Sequence, residues 1–248
     1  MGWWRVELRG ADGDLNRIAS LSQSPAWKVD ANDGRFFLEA SGFEAMTDSE
    51  SVRAFARDEL LPIINGVARL RFGRMMSHRI EIGAAVNHEN QQGHRTVHLY
   101  VEEGAVILAT ESIGVTVDGK LVSAPPPLRS IAEIGSALMH DPHVREALDF
   151  FSYDEEWAVN LNKVFEIICD DIGGSHALVK RGWSTHDDLR NFRSVHDPGV
   201  IGRQARHAIH SGPPLPDPMN EDEACAFIQR LLEEWLREKH RQLGGDSS

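Results

Sequence analysis

Arg203, Arg206, His207 and His210 fall within eight residues of the segment GRQARHAIHSG, Gly202 to Gly212, in a chain whose formal net charge is -12. Read as a helix, positions i, i+4 and i+7 share a face, so Arg203, His207 and His210 line one stripe with Arg206 one turn before His210. Groups of these types suit cleavage of a phosphodiester beside a 2′-hydroxyl. An imidazole near its unperturbed pKa can take the hydroxyl proton. A guanidinium is always cationic and offers a donor fork to the charge that develops on phosphorus. No metal enters such a scheme. The plainer reading is a solvated helix face, or a His paired with a neighbouring carboxylate. The local charge favours an anion site. Leu178 to His210 carries six Lys and Arg against three Asp, a local +3, whereas Pro125 to Ser248 as a whole carries 13 Lys and Arg against 21 Asp and Glu.

Other candidate groups carry less. The stretch HENQQGHRTVH holds His88, His94 and His98. On a strand, His94, Thr96, His98 and Tyr100 share one face, and two imidazoles two positions apart can bind a metal. No nearby Cys or carboxylate completes a tetrahedron, so a hairpin tip is expected and no bound zinc. Glu166 and Asp170 are spaced i, i+4 beside Asp171. Such charges are expected on the wet face of an amphipathic helix, or else turned toward the basic segment to orient its Arg or His. Trp3 and Trp4 are adjacent on a strand, whose alternation buries one of them. There is no GxGxxG, P-loop, GxSxG or HExxH, so no nucleotide-dependent kinase, dinucleotide oxidoreductase or zincin is indicated, and no cofactor is expected.

The elements that must position these groups differ between the two halves of the chain. Trp4, Val6 and Leu8 alternate with Arg5 and Glu7, a strand signal. A short helix is predicted over 14–21. AWKVDANDGRFFLEA reads as a hairpin turning at Asn32-Asp33-Gly34. Thr47 and Glu50 are spaced as a capping box for a helix carrying Val52, Phe55, Ala56, Leu60, Ile63, Ile64 and Val67, with Pro62 predicting a kink or break. Strands follow in RIEIGAAV, HRTVHLYV, GAVILAT and VTVDGKLV. Pro125-Pro126-Pro127 then interrupts the pattern, and helical periodicity takes over. Helices are predicted over 128–139, 143–151 and through Trp157, Leu161, Val164, Phe165, Ile168 and Ile172 to a stop at Gly173-Gly174. Another runs from a Ser184 cap to His196. Pro198-Gly199 separates it from the Arg/His segment, and a final helix is capped by Asn220 and Glu223. The fold class is therefore α+β: a mixed domain with antiparallel strands over residues 1–124, then a helical domain over 125–248.

The chain is 248 residues long, and hydrophobic residues make up 41% of it, enough for one large or two ordinary domains. No run reaches the roughly 18 apolar residues of a membrane helix, and MGWWRVELRG lacks a signal-peptide core. Two Cys, Cys169 and Cys225, form no CxxC motif and suit a reducing cytoplasm. The acidic balance disfavours non-specific coating of nucleic acid.

Arg203 and His210 with six residues between them, the loop SGPPLPDPMN and the acid-capped helix EDEACAFIQRLLEEWL together resemble the HEPN superfamily, whose members carry an Arg-x(4–6)-His motif before their last helix. WAVNLNKVFEIICDDIGG resembles the long preceding helix of bacterial HEPN-type relatives. The resemblance covers roughly residues 140–242. Gln204 stands where the family usually has Asn, Asp or another polar residue that orients the site, and Arg206-His207 offers a competing register. What the resemblance implies is a helical domain that forms a homodimer, with two motifs across one cleft. Active members cleave RNA without a metal, in toxin, antiphage and RNA-processing roles. Others only bind nucleotides, RNA or proteins. The expectation is an RNA-cleaving or RNA-binding protein of the cytoplasm, acting in defence or stress response, with residues 1–124 as a sensor or specificity module. The alternative is a non-catalytic dimerisation or adaptor protein whose first domain binds a partner.

Overall fold

The structure is a computed structural model, and it describes residues 3–21, 26–32, 34–89, 95–100, 134, 138–153, 155–195 and 219–243. The chain divides into two compact units, Met1–Ala137 and Leu138–Ser248. Pro125-Pro126-Pro127, the strands expected in GAVILAT and VTVDGKLV, and the first residues of the helix expected over 128–139 lie outside the described residues. Mixed elements in the first unit and helices alone among the described elements of the second make the protein α+β.

In the first unit, β1 (Trp3–Arg9), β2 (Trp27–Asn32), β3 (Arg35–Ala40), β4 (Glu81–Glu89) and β5 (Arg95–Leu99) form an antiparallel sheet of order β2-β3-β1-β4-β5. Alternation decides its two faces. Trp4, Val6 and Leu8 of β1 are buried on one face, while Trp3, Arg5, Glu7 and Arg9 on the other are half-exposed. Leu38 lies opposite Val6, and Val86 lies opposite Val6 from the other side, so the apolar face runs across the sheet. Each fully buried Val or Leu side chain there contributes about 1.5–3 kcal/mol. The hairpin pairs Asn32 with Arg35, and Gly34 has the positive φ of 75° that its turn requires. The register between β1 and β4 shifts between Val6 and Leu8. At this bulge the Ala85 N–H donates to the Glu7 carboxylate at 3.0 Å.

Helix α1 (Asp12–Leu21) buries Leu15, Ile18 and Leu21. The next helical run is continuous but not uniform. It passes through α2 (Ser49–Phe55), a π-helical turn over Ala56–Leu60, and α3 (Leu61–Phe72). Val52, Ala56, Leu60 and Ile64 are all buried, a spacing of four. In a plain α-helix each such step drifts by about 40° around the axis, and a wider turn reduces the drift. The π turn also resolves the expected break at Pro62. Pro62 sits at the first turn of α3, and the Leu61 N–H donates to the Ala56 carbonyl five residues back. The chain widens where sequence patterning suggested a kink. The cap is one residue later than expected, because Asp48 rather than Thr47 accepts the Ser51 N–H, at 2.8 Å. Two buried polar side chains fix the connection from α3 to β4. Asn65 donates to the Ile80 carbonyl and accepts the Ile80 N–H, and Asp14, 0% exposed, accepts the N–H groups of Ser77 and His78.

In the second unit the described elements are α4 (Pro142–Phe151), α5 (Trp157–Ile172), α6 (Ser175–Lys180), α7 (His186–Ser194) and α8 (Glu221–Gln242). Asp141 caps α4 by accepting the His143 and Val144 N–H groups. Gly173 ends α5 with φ 89°. Thr185, not Ser184, caps α7 through a capping box with Asp188, because its side chain lies three residues before the Asp188 N–H. Asn220 and Glu223 form the same device at α8. Phe192 is the centre of the packing, with ring centroids 5.2 Å from Phe165 of α5 and 5.2 Å from Phe227 of α8. Leu231, Leu232 and Trp235 continue the buried stripe of α8.

Candidate functional site

Arg203, Arg206, His207 and His210 lie outside the described residues, as does the whole stretch 196–218. What the structure describes is the pair of helices that bracket this segment in the chain. Phe192 near the end of α7 packs on Phe227 near the start of α8, and Arg230 of α8 lies 3.6 Å from Asp188 of α7. The two helices are thus tied by an aromatic contact and an ion pair.

The basic residues that precede the segment are largely engaged within the unit. Arg181 donates to both oxygens of Glu238 at 3.2 Å, Arg190 pairs with Asp187 at 2.8 Å, and Arg193 donates to the Ser175 hydroxyl at 2.8 Å. Glu238 comes from α8, 57 positions along the chain from Arg181. A charge count over a sequence window cannot see such a partner.

Of the three candidate acids, Asp171 is committed to packing rather than to a site. One of its oxygens accepts from Lys239 Nζ at 2.8 Å and the other from Trp235 Nε1 at 2.8 Å, while His143 Nδ1 lies 3.4 Å away. Lys239 also donates to Asp141 at 2.7 Å. One ammonium therefore joins the cap of α4, the end of α5 and the body of α8. Burial works against the charge on Asp171, yet hydrogen bonds from Lys239, Trp235 and His143 outweigh it and hold the carboxyl below its ordinary range. Burial likewise opposes the charge on Lys239, and the bonds to Asp141 and Asp171 outweigh it and hold the ammonium above its ordinary range. Glu166 and Asp170 are exposed on α5. Cys169, beside them, is a poor nucleophile, since burial pushes its thiol up to about 11.

In the first unit, His88 and His98 share a face of the sheet and flank the same indole. The His88 ring stacks on Trp4 at 4.2 Å between centroids, and the His98 ring is tilted at 5.9 Å. His94 lies outside the described residues. Among the described residues no group of three or more His, Cys, Asp or Glu is placed to hold a metal. Trp4 is buried, and its Nε1 donates to the Met46 carbonyl at 3.1 Å.

Trp3 points to the opposite face and lines two adjoining cavities that sequence reasoning did not reveal. One, of about 340 Å³, is walled by Trp3, Arg5, Arg35, Phe37, Asn87 and Glu89, among others. The other, of about 230 Å³, reaches from Trp3 to Trp27, Lys28 and Phe43. In the first, the Arg5 guanidinium lies over the Trp3 ring at 3.8 Å. Arg5 Nε is 2.5 Å from Glu39 Oε1, but the two atoms are not aligned as a hydrogen bond and both are buried. Asn87 Oδ1 is also buried without a hydrogen-bond partner, a loss of about 1–3 kcal/mol if nothing donates to it. Strand alternation foretells which side chains share this face. It does not foretell that they enclose a cavity.

Comparison with known proteins finds no matching family model, no matching curated protein and no matching solved structure. No described helix is long and apolar enough to cross a membrane.

Proposed function

We propose that this chain handles RNA as a HEPN-like protein and cleaves it without a metal, using Arg203 and His210 as a homodimer, with Arg206 and His207 as the competing register. The observation that carries the reading is the chain order: Arg203 and His210, separated by six residues, precede an amphipathic helix with an acidic cap, and α8 has that character from Asn220 to Gln242. Packing of α8 against α5 and α7 through Phe165, Phe192 and Phe227 supports a helical domain of the kind the reading requires. In the reaction, His210 takes the 2′-hydroxyl proton as that oxygen attacks phosphorus, and Arg203 stabilises the charge on the non-bridging oxygens. The P–O5′ bond breaks, the departing 5′-oxygen takes a proton from water, and the products are a 2′,3′-cyclic phosphate and a free 5′-hydroxyl.

The test is an RNA-cleavage assay with and without chelator. Cleavage should persist in chelator, and Arg203→Ala and His210→Ala should each abolish it with the fold intact. Loss in His207→Ala with normal His210→Ala would move the site to the other register. A second reading, a non-catalytic adaptor, is favoured by the engagement of Arg181, Arg190 and Arg193 within the unit, which leaves less positive charge beside the segment than the sequence suggests. Wild-type protein that neither cleaves nor binds any RNA would establish the adaptor and sink the nuclease.

A further inference from the structure

The helical run of the first unit ends in a basic stretch that no acid interrupts. Between Glu59 and Glu81 the chain carries Arg69, Arg71, Arg74, His78 and Arg79 and no Asp or Glu, in a protein of net charge -12. Arg69 and Arg71 fall in the last turn of α3, and the chain then turns through Gly73, with φ 54°, toward Arg79 and β4. Arg17 of α1 is brought to the same place. Its guanidinium pairs with Asp14 at 3.0 Å, and Asp14 accepts the N–H groups of Ser77 and His78. Asp14 is 0% exposed, so its charge is satisfied inside the unit, whereas Arg17 is 36% exposed and His78 is exposed. The acids that flank the stretch are distant or engaged. Asp58 and Glu59 belong to the π turn, about 15 Å or more before Arg69 at 1.5 Å per residue. Glu81 pairs with Arg9 at 2.5 Å.

Charge and apolar exposure together limit the class of partner. Arg69, Arg71 and Arg79 are half-buried. A guanidinium that makes contacts within the unit, as Arg69 and Arg79 do, keeps its charge and has five donors to share. A surface of this kind attracts a polyanion through its summed field rather than through one pocket. The same turn presents Met75, 58% exposed, and the half-exposed Phe72, whose ring centroid lies 5.8 Å from the Arg71 guanidinium. Unpaired bases pack on apolar and aromatic side chains, whereas bases stacked inside a duplex do not reach them. Two apolar side chains fall short of the buried area that holds a protein on an anionic membrane. The polyanion that fits is a single strand of nucleic acid.

We propose that the first unit binds single-stranded RNA along the end of α3 and the turn into β4, through Arg17, Arg69, Arg71 and Arg79. The preference for RNA over DNA rests on the cleavage proposed above, and the charge of the surface does not. The experiment is fluorescence anisotropy of the full-length protein with a labelled oligouridylate of about 20 nucleotides, longer than one binding module covers. Arg203→Ala and His210→Ala in the background keep the probe intact. Gln at Arg69, Arg71 and Arg79 together should weaken binding about tenfold or more and reduce the slope of log K against log salt by about 2, at about 0.7 per phosphate on a single strand. Lys at the same three positions should retain most of the affinity and the slope, a rescue that a merely structural role of Arg would not allow. Gln at Lys28, Arg35 and Arg57 removes the same charge from elsewhere in the unit and should change binding little. Equal affinity of the parent and the Arg69/Arg71/Arg79 Gln variant, or a loss with Lys as complete as with Gln, would overturn the proposal and leave the cleavage reading standing. No saturable RNA binding would overturn it as well, and binding to phosphatidylserine vesicles in its place would mark a membrane surface. Affinity lost in the Gln variant, with RNA cleavage untouched by Arg203→Ala and His210→Ala, would sustain the surface and sink the Arg/His site.

Discussion

Lys239→Met removes an ammonium that joins α4, α5 and α8. Its two hydrogen bonds are charge-assisted, and each such bond typically contributes about 1.5–3 kcal/mol, while unpairing a fully buried ion costs about 3–5. Lys239 is 13% exposed and its carboxylate partners are more open to water, which places the loss at the low end, about 2–3 kcal/mol. Asp171 keeps Trp235, and Asp141 keeps its cap, so neither carboxylate is stranded. Protons report the same clamp. Because the folded carboxyl of Asp171 is lowered, its contribution is present above the ordinary carboxylate range and is lost as pH falls through the folded value. Because the folded ammonium of Lys239 is raised, its contribution is present below the ordinary Lys range and is lost as pH rises through the folded value. Between these limits the clamp contributes in full. Urea denaturation across pH, with hydrogen exchange of the α8 amides locating the effect, measures both. The Met variant should be weaker at neutral pH and show a shallower acid limb. A loss below about 0.5 kcal/mol, or an acid limb as steep as the wild type's, would show that the ammonium holds nothing together.

Three further outcomes follow from buried groups. Asp14→Ala strands the N–H groups of Ser77 and His78 and should destabilise the first unit by about 3 kcal/mol, with faster hydrogen exchange at those two amides; unchanged exchange would refute it. Gly83→Ala places a Cβ 2.7 Å from Glu7 Cγ and 3.1 Å from the Glu7 carbonyl carbon, so it should cost about 1–3 kcal/mol in thermal or urea unfolding, and a neutral substitution would mean the bulge yields freely. Cys169, with its thiol at about 11, is about 0.1% thiolate at pH 8, so iodoacetamide should modify it more than a hundredfold more slowly than a free thiol until the protein is unfolded, as read by mass spectrometry.

Much of the architecture was legible because it is local. Alternation in Trp4, Val6 and Leu8, the Asn32-Asp33-Gly34 turn, the Gly173 stop and the Asn220–Glu223 cap are all read within a few residues. The errors were also local and small: Asp48 and Thr185 outcompete their neighbours Thr47 and Ser184, since two adjacent polar residues each satisfy the cap pattern. Long-range partners were not legible. Nothing near Asp171 in the chain announces Lys239, 68 positions away, and the sequence window around Arg181 omits Glu238. The cavity escaped notice for the same reason, because Asn87 meets Arg5 only through strand pairing. The Arg/His segment lies outside the described residues, so its assignment rests on residue types and spacing alone.

The π turn over Ala56–Leu60 has a genetic consequence. It holds one residue more than an α-helical turn would, and Asp58 within it is exposed. Deleting that residue would let the turn tighten into an ordinary α-helix, and the Pro62 ring would then meet the carbonyl four residues before it. The deletion should therefore be harmful alone and milder beside Pro62→Ala, which restores an N–H and removes the ring. A screen for second-site revertants of the deletion would be expected to return changes at Pro62, marking the wide turn and the proline as a single inherited unit.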